Sequence, residues 1–330
     1  VSILLMPELF SRIIFRETTS YQFVICCVLV LASVVAFSFM SELTASFREI
    51  RAVSHMQFAQ SVTFTVVGLS LVAIYRQWWV LLPSFLIAQC VGILPGLWRM
   101  RAEHVDEFQQ DSAIAGSHIM RRIAPYAITL WAVNLFSNLF EVGDRYMLLH
   151  LLSGENEQVG QAMVGQYHCA RILPNLLTSV AIMLGGILLP YLSADWEQGQ
   201  RERIGARIRQ MAQAVCIGFL TLSVAAMVAS PLLFQFVFDG RYELARQVLP
   251  LALLQATWVG LFLVSEPFLL CSERGKELAA LLLLSLVTNL ALNACLIPRF
   301  GLHGGMAATA ASNLFSLSLL YWRMAGCGCA

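Results

Sequence analysis

Two apolar stretches of the chain carry polar residues at helical spacing. The first polar ridge has members three or four positions apart: Asn134, Asn138, Glu141 and Arg145. The second polar ridge follows the same rule: Gln161, His168, Arg171, Asn175 and Thr178. Such spacing places the side chains on one face of a helix. An ionisable group inside a bilayer costs about 2.5–3.5 kcal/mol and normally faces a cavity or a partner. The ridges therefore predict a water-filled lumen of cationic character.

Two arginines carry the charge of this predicted lumen. A guanidinium group holds a phosphate through two parallel hydrogen bonds, so Arg171 and Arg145 are the main candidates for binding an anionic substrate. Three other members of the ridges are secondary candidates: His168, Asn138 and Asn134. A structural alternative stays open for Arg145, because Glu141 stands one turn before it and Asp144 is its neighbour. No acid stands at such spacing from Arg171.

A histidine and four acids are candidates for moving or pairing charge. His168 suits a proton carrier, and a hydrogen-bonded packing role is the alternative. The acidic candidates for ion pairing or for binding a coupling ion are Glu141, Asp144, Glu266 and Glu42. Glu266 precedes Pro267, and a proline within a helix frees a backbone carbonyl that can face a cavity. For Glu266 and Glu42, the alternative is pairing with nearby arginines at the headgroup level. Asn289 and Asn293, four positions apart, are expected to join helices by hydrogen bonds.

The elements that position these residues are membrane-spanning helices. Of the 330 residues, 58% are hydrophobic and 12% are charged, against about 25% charged in a soluble domain. These proportions exclude a soluble enzyme and a secreted domain. The net charge of +1 excludes the broad basic field of a nucleic-acid-binding protein. Since a span needs about 20 apolar residues, nine spans are predicted: 20–45, 54–75, 78–98, 122–150, 160–192, 210–236, 247–271, 277–297 and 303–324.

The loops between the spans differ in charge between the two sides of the membrane. Thirteen of the 21 Lys and Arg residues fall on one side and six on the other, and the richer side is the cytoplasmic one. We therefore expect a multi-pass protein of the cytoplasmic (inner) membrane with a cytoplasmic C-terminus. No loop is long enough for a soluble catalytic domain, and the sequence has no HExxH motif, GxSxG motif or metal-ligand cluster. Neither an enzyme nor a bound cofactor or metal is expected.

An internal repeat divides the chain. At an offset of 224 residues, the separation of Glu42 and Glu266, Ser41 meets Ser265 and Trp-Arg-Met occurs at both 98–100 and 322–324. Six spans separate the paired segments, so both copies cross the membrane in the same direction. We expect 1–100 to form the last three helices of an N-terminal bundle, 101–120 a cytoplasmic linker, and 121–330 a complete six-helix bundle. A full-length protein would then have about 430 residues and twelve spans, and this chain would be its N-terminally shortened part.

Several short motifs resemble those of a known transporter family. They are GDRYML at 143–148, VGQY at 164–167, FDGRY at 238–242 and IPRFGLHGG at 297–305. Their order and spacing are similar to those of polysaccharide-export flippases, the Wzx-type members of the multidrug/oligosaccharidyl-lipid/polysaccharide superfamily. The resemblance covers essentially the whole chain and is strongest over 121–324.

The resemblance implies an all-α polytopic fold of two pseudo-symmetric six-helix bundles, the first represented only by its last three helices. It implies transport of a lipid-linked oligosaccharide, carried on a polyprenyl pyrophosphate, across the cytoplasmic membrane for polysaccharide or lipopolysaccharide biosynthesis. The family works by alternating access, often coupled to an ion gradient. The expected partners are therefore the lipid-linked substrate, H+ or Na+ and membrane lipids. Arg171 and Arg145 are this sequence's candidates for the charge of the lumen between the bundles.

Three alternatives stay open. A multidrug or cation antiporter of the same superfamily would prefer an acidic or aromatic cavity, which the arginines disfavour. A membrane-embedded polysaccharide polymerase or glycosyltransferase would carry a large outer loop or an acidic cluster at the membrane edge. The third alternative is a non-transporting remnant, because the missing helices line half of the lumen in the family.

Overall fold

A computed structural model describes residues 21–47, 49–103, 116–152 and 157–326. Within these ranges the chain is helical and has no β-strand, which confirms the predicted all-α class. Eight of the described helices are long and apolar enough to cross a membrane. Most of the predicted linker, 104–115, lies outside the described residues. The chain divides into two compact units, Val1–Ala115 and Gly116–Ala330, so the boundary falls within the linker interval.

The described part of the first unit, 21–47 and 49–103, forms three long helices. They are α1 (Tyr21–Ser46), α2 (Ile50–Tyr75) and α3 (Leu81–Glu103), with a short 3-10 turn at Trp78–Val80 before α3. Helix α3 packs against both of the others, and its glycines permit this contact. A Cβ atom on Gly92 would lie 2.8 Å from the Phe37 ring of α1. Small residues at such positions allow membrane helices to approach closely.

Over 116–152 and 157–326, the second unit forms six helices. They are α4 (Gly116–Leu152), α5 (Glu157–Glu197), α6 (Arg201–Phe236), α7 (Glu243–Ser265), the short α8 (Pro267–Cys271) and α9 (Gly275–Ala325). Helix α7 lies at the centre, because it packs against α5, α6 and α9. Helix α4 packs against α5 and α9. The polar ridges predicted from the sequence therefore lie on two neighbouring helices, α4 and α5.

The longest helix, α9, is broken at Gly301, whose φ of 57° and ψ of −131° are not helical. The Ser316 hydroxyl donates a hydrogen bond to the Ser285 hydroxyl, although a continuous helix would separate the two residues by about 46 Å. The limbs on either side of Gly301 therefore lie side by side and run in opposite directions. They correspond to the predicted spans 277–297 and 303–324. The count of nine spans and the pseudo-symmetry of two bundles stay predictions.

Glycine and proline shape the interior of the second unit. Pro267, the first residue of α8, has no N–H group to donate to the Leu263 carbonyl one turn earlier. Gly185 of α5 lies against that carbonyl, because a Cβ on Gly185 would be only 2.6 Å from its oxygen. The sequence predicted the proline break beside Glu266. In the structure, α5 covers the Leu263 carbonyl, which the proline leaves without a hydrogen bond from its own helix.

Candidate functional site

A fully buried carboxylate, that of Asp144 on α4, is the centre of a polar cluster in the second unit. Its Oδ1 accepts hydrogen bonds from Asn289 Nδ2 at 3.0 Å and from Asn293 Nδ2 at 2.7 Å. Its Oδ2 accepts hydrogen bonds from the Tyr167 hydroxyl at 2.7 Å and from the Thr309 hydroxyl at 2.8 Å. A buried charge is costly unless it is paired or hydrogen-bonded, and these four donors meet that need.

The four donors come from two other helices, because Tyr167 lies on α5 while Asn289, Asn293 and Thr309 lie on the two limbs of α9. Asp144 thus joins both limbs of α9 to α4 and α5. Within the described residues no Lys, Arg or His side chain forms an ion pair with Asp144. Four neutral donors therefore hydrogen-bond the carboxylate directly, and no cationic side chain of these ranges touches it.

The cluster is rich in oxygen atoms that face inward. Asn293 Oδ1 is buried and has no hydrogen-bond partner among the described residues. The Thr309 hydroxyl also lies 2.8 Å from the Gly305 carbonyl oxygen. Carboxylate, amide, hydroxyl and carbonyl oxygens are ligands of hard cations. Among the described residues, no three His, Cys, Asp or Glu side chains lie close enough together to hold a metal ion. The donors around Asp144 are oxygen atoms, which suit a proton or a hard cation better than a soft transition metal.

Arg171 approaches this cluster through Tyr167. Its Nη1 donates a hydrogen bond to the Tyr167 hydroxyl oxygen at 3.1 Å, and its guanidinium carbon lies 5.5 Å from the centre of the tyrosine ring. The Arg171 side chain is 16% exposed. The arginine is therefore largely shielded from water but keeps one open side.

Glu141 links the two polar ridges. Its Oε1 accepts a hydrogen bond from Arg145 Nη2 at 2.6 Å and lies 3.9 Å from Arg171 Nη1. Arg145 therefore forms the ion pair that the sequence left open as an alternative to substrate binding, and its partner is Glu141, not Asp144. Arg171, for which the sequence suggested no acid, has one on the neighbouring helix. Two guanidinium groups share a single carboxylate, so this group of three carries one net positive charge.

The remaining ridge candidates extend this surface. Asn134, Asn138 and His168 are exposed in the second unit, and Asn138 Nδ2 donates to the backbone carbonyl of Asn134 at 2.8 Å. They share the faces of α4 and α5 that carry Arg145 and Arg171. The structure therefore brings the predicted substrate-binding residues onto one open polar surface, which we call the cationic face. Whether that face binds a substrate stays a prediction.

The other two acidic candidates are Glu266 of the second unit and Glu42 of the first. Glu266 is half-buried at the break between α7 and α8, and its carboxylate has no hydrogen-bond or ion-pair partner among the described residues. Arg274, which the alternative interpretation paired with it, lies 3.8 Å from Glu277 instead. Glu42 belongs to the first unit, where its side chain is exposed. Their roles as coupling residues stay predictions.

Sequence reasoning missed part of the cluster around Asp144. Asn289 and Asn293 were expected to join helices by hydrogen bonds, and they do, but Tyr167 and Thr309 were not singled out. The signal that could have found them is weak. Tyr167 lies inside the VGQY motif and directly precedes His168, and Thr309 is the polar exception in the small-residue stretch that follows Gly301.

The fold and the site together define a multi-pass, all-helical membrane protein with a buried acid beside a cationic face. Comparison with known families refines this class. The polysaccharide biosynthesis protein family matches residues 1–196, more than half of the chain, and the chain belongs to that family. No curated protein and no solved structure matches the chain.

Proposed function

We propose that this protein translocates a lipid-linked oligosaccharide, carried on a polyprenyl pyrophosphate, across the cytoplasmic membrane by alternating access. Membership of the polysaccharide biosynthesis family supports a role in making or exporting polysaccharide. The single observation that carries the substrate class is the cationic face, where Arg171 and Arg145 share one carboxylate. A pyrophosphate would supply the anionic charge that this group of three lacks.

The chemistry of the cationic face favours this substrate over a cationic drug. A phosphate oxygen accepts hydrogen bonds from a guanidinium fork, and a site that excludes water strengthens that attraction. Arg171 is held in place by Tyr167 and keeps an open side, so little side-chain freedom would be lost on binding. The exposed amides of Asn134 and Asn138 offer donors and acceptors to a sugar. The prenyl tail would remain in the lipid.

The arrangement of spans follows from the same proposal. If each limb of α9 crosses the membrane, the chain has nine crossings and a cytoplasmic C-terminus, in agreement with the distribution of Lys and Arg. Alternating access then needs two bundles that rock against each other. In this proposal the protein carries out no covalent chemistry, since its site holds and moves an anion.

Asp144 is the proposed site of the coupling cation, either H+ or Na+. A proton would neutralise the carboxylate in place. For Na+, the amides of Asn289 and Asn293 would turn their oxygens inward, because a side-chain amide can present either its donor or its acceptor. The partnerless Oδ1 of Asn293 supports this assignment.

The substrate assignment is tested by replacing Arg171 with alanine in the cell that uses this protein and measuring surface polysaccharide. Export falls at least tenfold at unchanged protein level, because the anion loses its main charged donor. Arg241→Ala is the matched control, since that side chain is 77% exposed and export stays within twofold. Normal export by Arg171→Ala would remove the arginine from the mechanism.

The cation assignment is tested with Asp144→Asn, which keeps the size of the side chain and removes its charge. Transport by the unchanged protein depends on Na+ or on pH, and the variant loses that dependence. Glu197→Gln is the control, because its carboxylate is exposed at the end of α5. An Asp144→Asn protein that keeps the full Na+ and pH response would place the coupling cation elsewhere.

A further inference from the structure

The Tyr167 hydroxyl is shared between the two charged groups of the site. A phenol has one hydrogen and an oxygen with lone pairs. The hydrogen is donated to Asp144 Oδ2 at 2.7 Å, and the oxygen accepts from Arg171 Nη1 at 3.1 Å. One oxygen atom thus separates the proposed cation site from the proposed anion site.

The Tyr167 side chain is shielded from bulk water. The residue is fully buried in a hydrophobic cluster that includes Leu148, Leu249 and Ile297. Bulk water therefore does not compete for the two hydrogen bonds of the hydroxyl. Tyr167 and Arg171 stand one helical turn apart on α5, so a movement of the tyrosine and a movement of the arginine involve the same segment of backbone.

We propose that Tyr167 couples cation binding at Asp144 to anion binding at Arg171, so that each ligand raises the affinity of the other. This inference rests on the proposed function, because it names the residue that joins its two sites. Coupling between sites is reciprocal in free energy, so the cation must strengthen anion binding by the same factor as the anion strengthens cation binding.

The sign of the coupling follows from charge. When Asp144 is ionised and empty, its negative charge polarises the Tyr167 hydroxyl, and the hydroxyl oxygen then attracts Arg171 more strongly. A cation at Asp144 cancels that charge and weakens the hydrogen bond from Arg171 to Tyr167. The guanidinium group is then freer to turn its donors to a phosphate, and less negative charge remains nearby to repel that phosphate.

Tyr167→Phe isolates the hydroxyl, because the ring still fills its buried site. The full chain is placed in nanodiscs of fixed lipid composition, and binding of farnesyl pyrophosphate, a short polyprenyl pyrophosphate, is measured. The measurement is repeated at high and low Na+ with choline as the replacement ion, and at two pH values. Constant ionic strength keeps screening the same in every sample.

In the unchanged protein, we expect the cation to lower the Kd by about fivefold or more, the lower range of measured couplings. In Tyr167→Phe the effect falls below about twofold, while the Kd without the cation changes by less than about threefold. Tyr146→Phe is the control, since that ring is exposed and stands two positions from Asp144, and it keeps the full coupling. A Tyr167→Phe protein with unchanged coupling overturns the inference, as does an unchanged protein whose Kd responds to neither cation.

Two further measurements keep the outcomes distinct. If Arg171→Ala binds farnesyl pyrophosphate as tightly as the unchanged protein, the proposed anion site fails, whatever Tyr167 does. If Tyr167→Phe does not fold, 3-fluorotyrosine is incorporated at position 167 and its fluorine resonance is followed. The resonance shifts on adding either the cation or farnesyl pyrophosphate. A resonance that responds to only one of them contradicts a hydroxyl shared by both sites.

Discussion

The two units of this chain satisfy their buried polar groups in different ways. In the first unit, the Thr44 hydroxyl donates to the Met40 carbonyl on α1, and the Ser84 hydroxyl donates to the Val80 carbonyl in the 3-10 turn that leads into α3, at 2.7 Å each. In the second unit, Asp144 receives its hydrogen bonds from residues on α5 and α9. The first arrangement is local to each helix, whereas the second requires three helices to be in place at once.

This difference between the units determines what happens to a buried polar group when neighbouring helices separate. A hydroxyl bonded within its own helix costs nothing when neighbouring helices separate, so α1, α2 and α3 depend on close packing at glycines. A carboxylate whose donors lie on other helices loses all of them if those helices separate, and an unpaired charge in a lipid environment is costly. Asp144 therefore ties the proposed ion site to the integrity of its unit.

The largest expected effect on the free energy of unfolding is that of Asp144→Ala, which removes the acceptor that joins α4 to α5 and α9. The substitution leaves the buried donors of Asn289, Asn293, Tyr167 and Thr309 without their acceptor. We expect the free energy of unfolding to fall by about 3–5 kcal/mol, measured by denaturant titration in detergent. Glu42→Ala, an exposed acid in the first unit, should change it by less than about 0.5 kcal/mol. Equal effects of the two substitutions would contradict the comparison.

The next effect concerns glycine packing, which both units use. A Cβ on Gly304 would lie 2.2 Å from the backbone oxygen of Leu296, whereas one on Gly96 would lie 2.6 Å from the flexible Met56 sulfur. Gly304→Ala should lower the free energy of unfolding by about 2–3 kcal/mol. Gly96→Ala should cost less, because a methionine side chain can move.

The control for both glycine variants is Gly186→Ala, since a Cβ on that glycine meets nothing within 4 Å. It should be neutral or stabilise the protein by up to about 1 kcal/mol, because alanine favours helix. Thermal unfolding of the three variants in one detergent ranks them. A Gly304→Ala protein as stable as Gly186→Ala would show that the hairpin at Gly301 can relax.

A smaller effect is expected at Gln166, a second contact between helices in the second unit. Its Nε2 donates to the Arg241 carbonyl at 3.2 Å, and its Oε1 accepts from the Ala245 N–H at 3.0 Å. Gln166→Leu should cost about 1–2 kcal/mol and speed hydrogen exchange at the Ala245 amide. The exposed Gln161→Leu is the control and should leave that exchange rate unchanged. If the exchange rate of the Ala245 amide is unaltered in Gln166→Leu, the two hydrogen bonds of the Gln166 amide are not maintained in solution.

The smallest effect is expected for the ion pair of the first unit. Arg99 Nε lies 3.2 Å from Glu49 Oε2, and their side chains are 39% and 23% exposed. A double-mutant cycle with Arg99→Gln and Glu49→Gln should give a coupling of less than about 1 kcal/mol, decreasing as salt is added. A coupling that exceeds 2 kcal/mol and resists salt would mean that the first unit also relies on charge between helices.

Particular residues show how far sequence reasoning reached. Helical spacing predicted the two polar ridges, and it left Glu141 and Asp144 both open as partners of Arg145, of which the structure shows Glu141. The contact between Arg171 and Glu141 joins two helices, and spacing along one helix carries no information about it. Asn289 and Asn293 were recognised as residues that join helices, but their partner, 145 and 149 positions earlier, was not.

Composition and periodicity alone determined that this chain is a bundle of apolar helices with polar faces, because burial in lipid demands it of every segment separately. The tertiary structure determines that Asp144 is the buried acid and that Arg145 and Arg171 share the Glu141 carboxylate. It also places the Tyr167 hydroxyl between Asp144 and Arg171. These choices depend on how α9 folds back at Gly301 and on which faces of α4 and α5 it meets. Contacts between segments far apart in sequence arise only when the helices pack, so no local pattern encodes them.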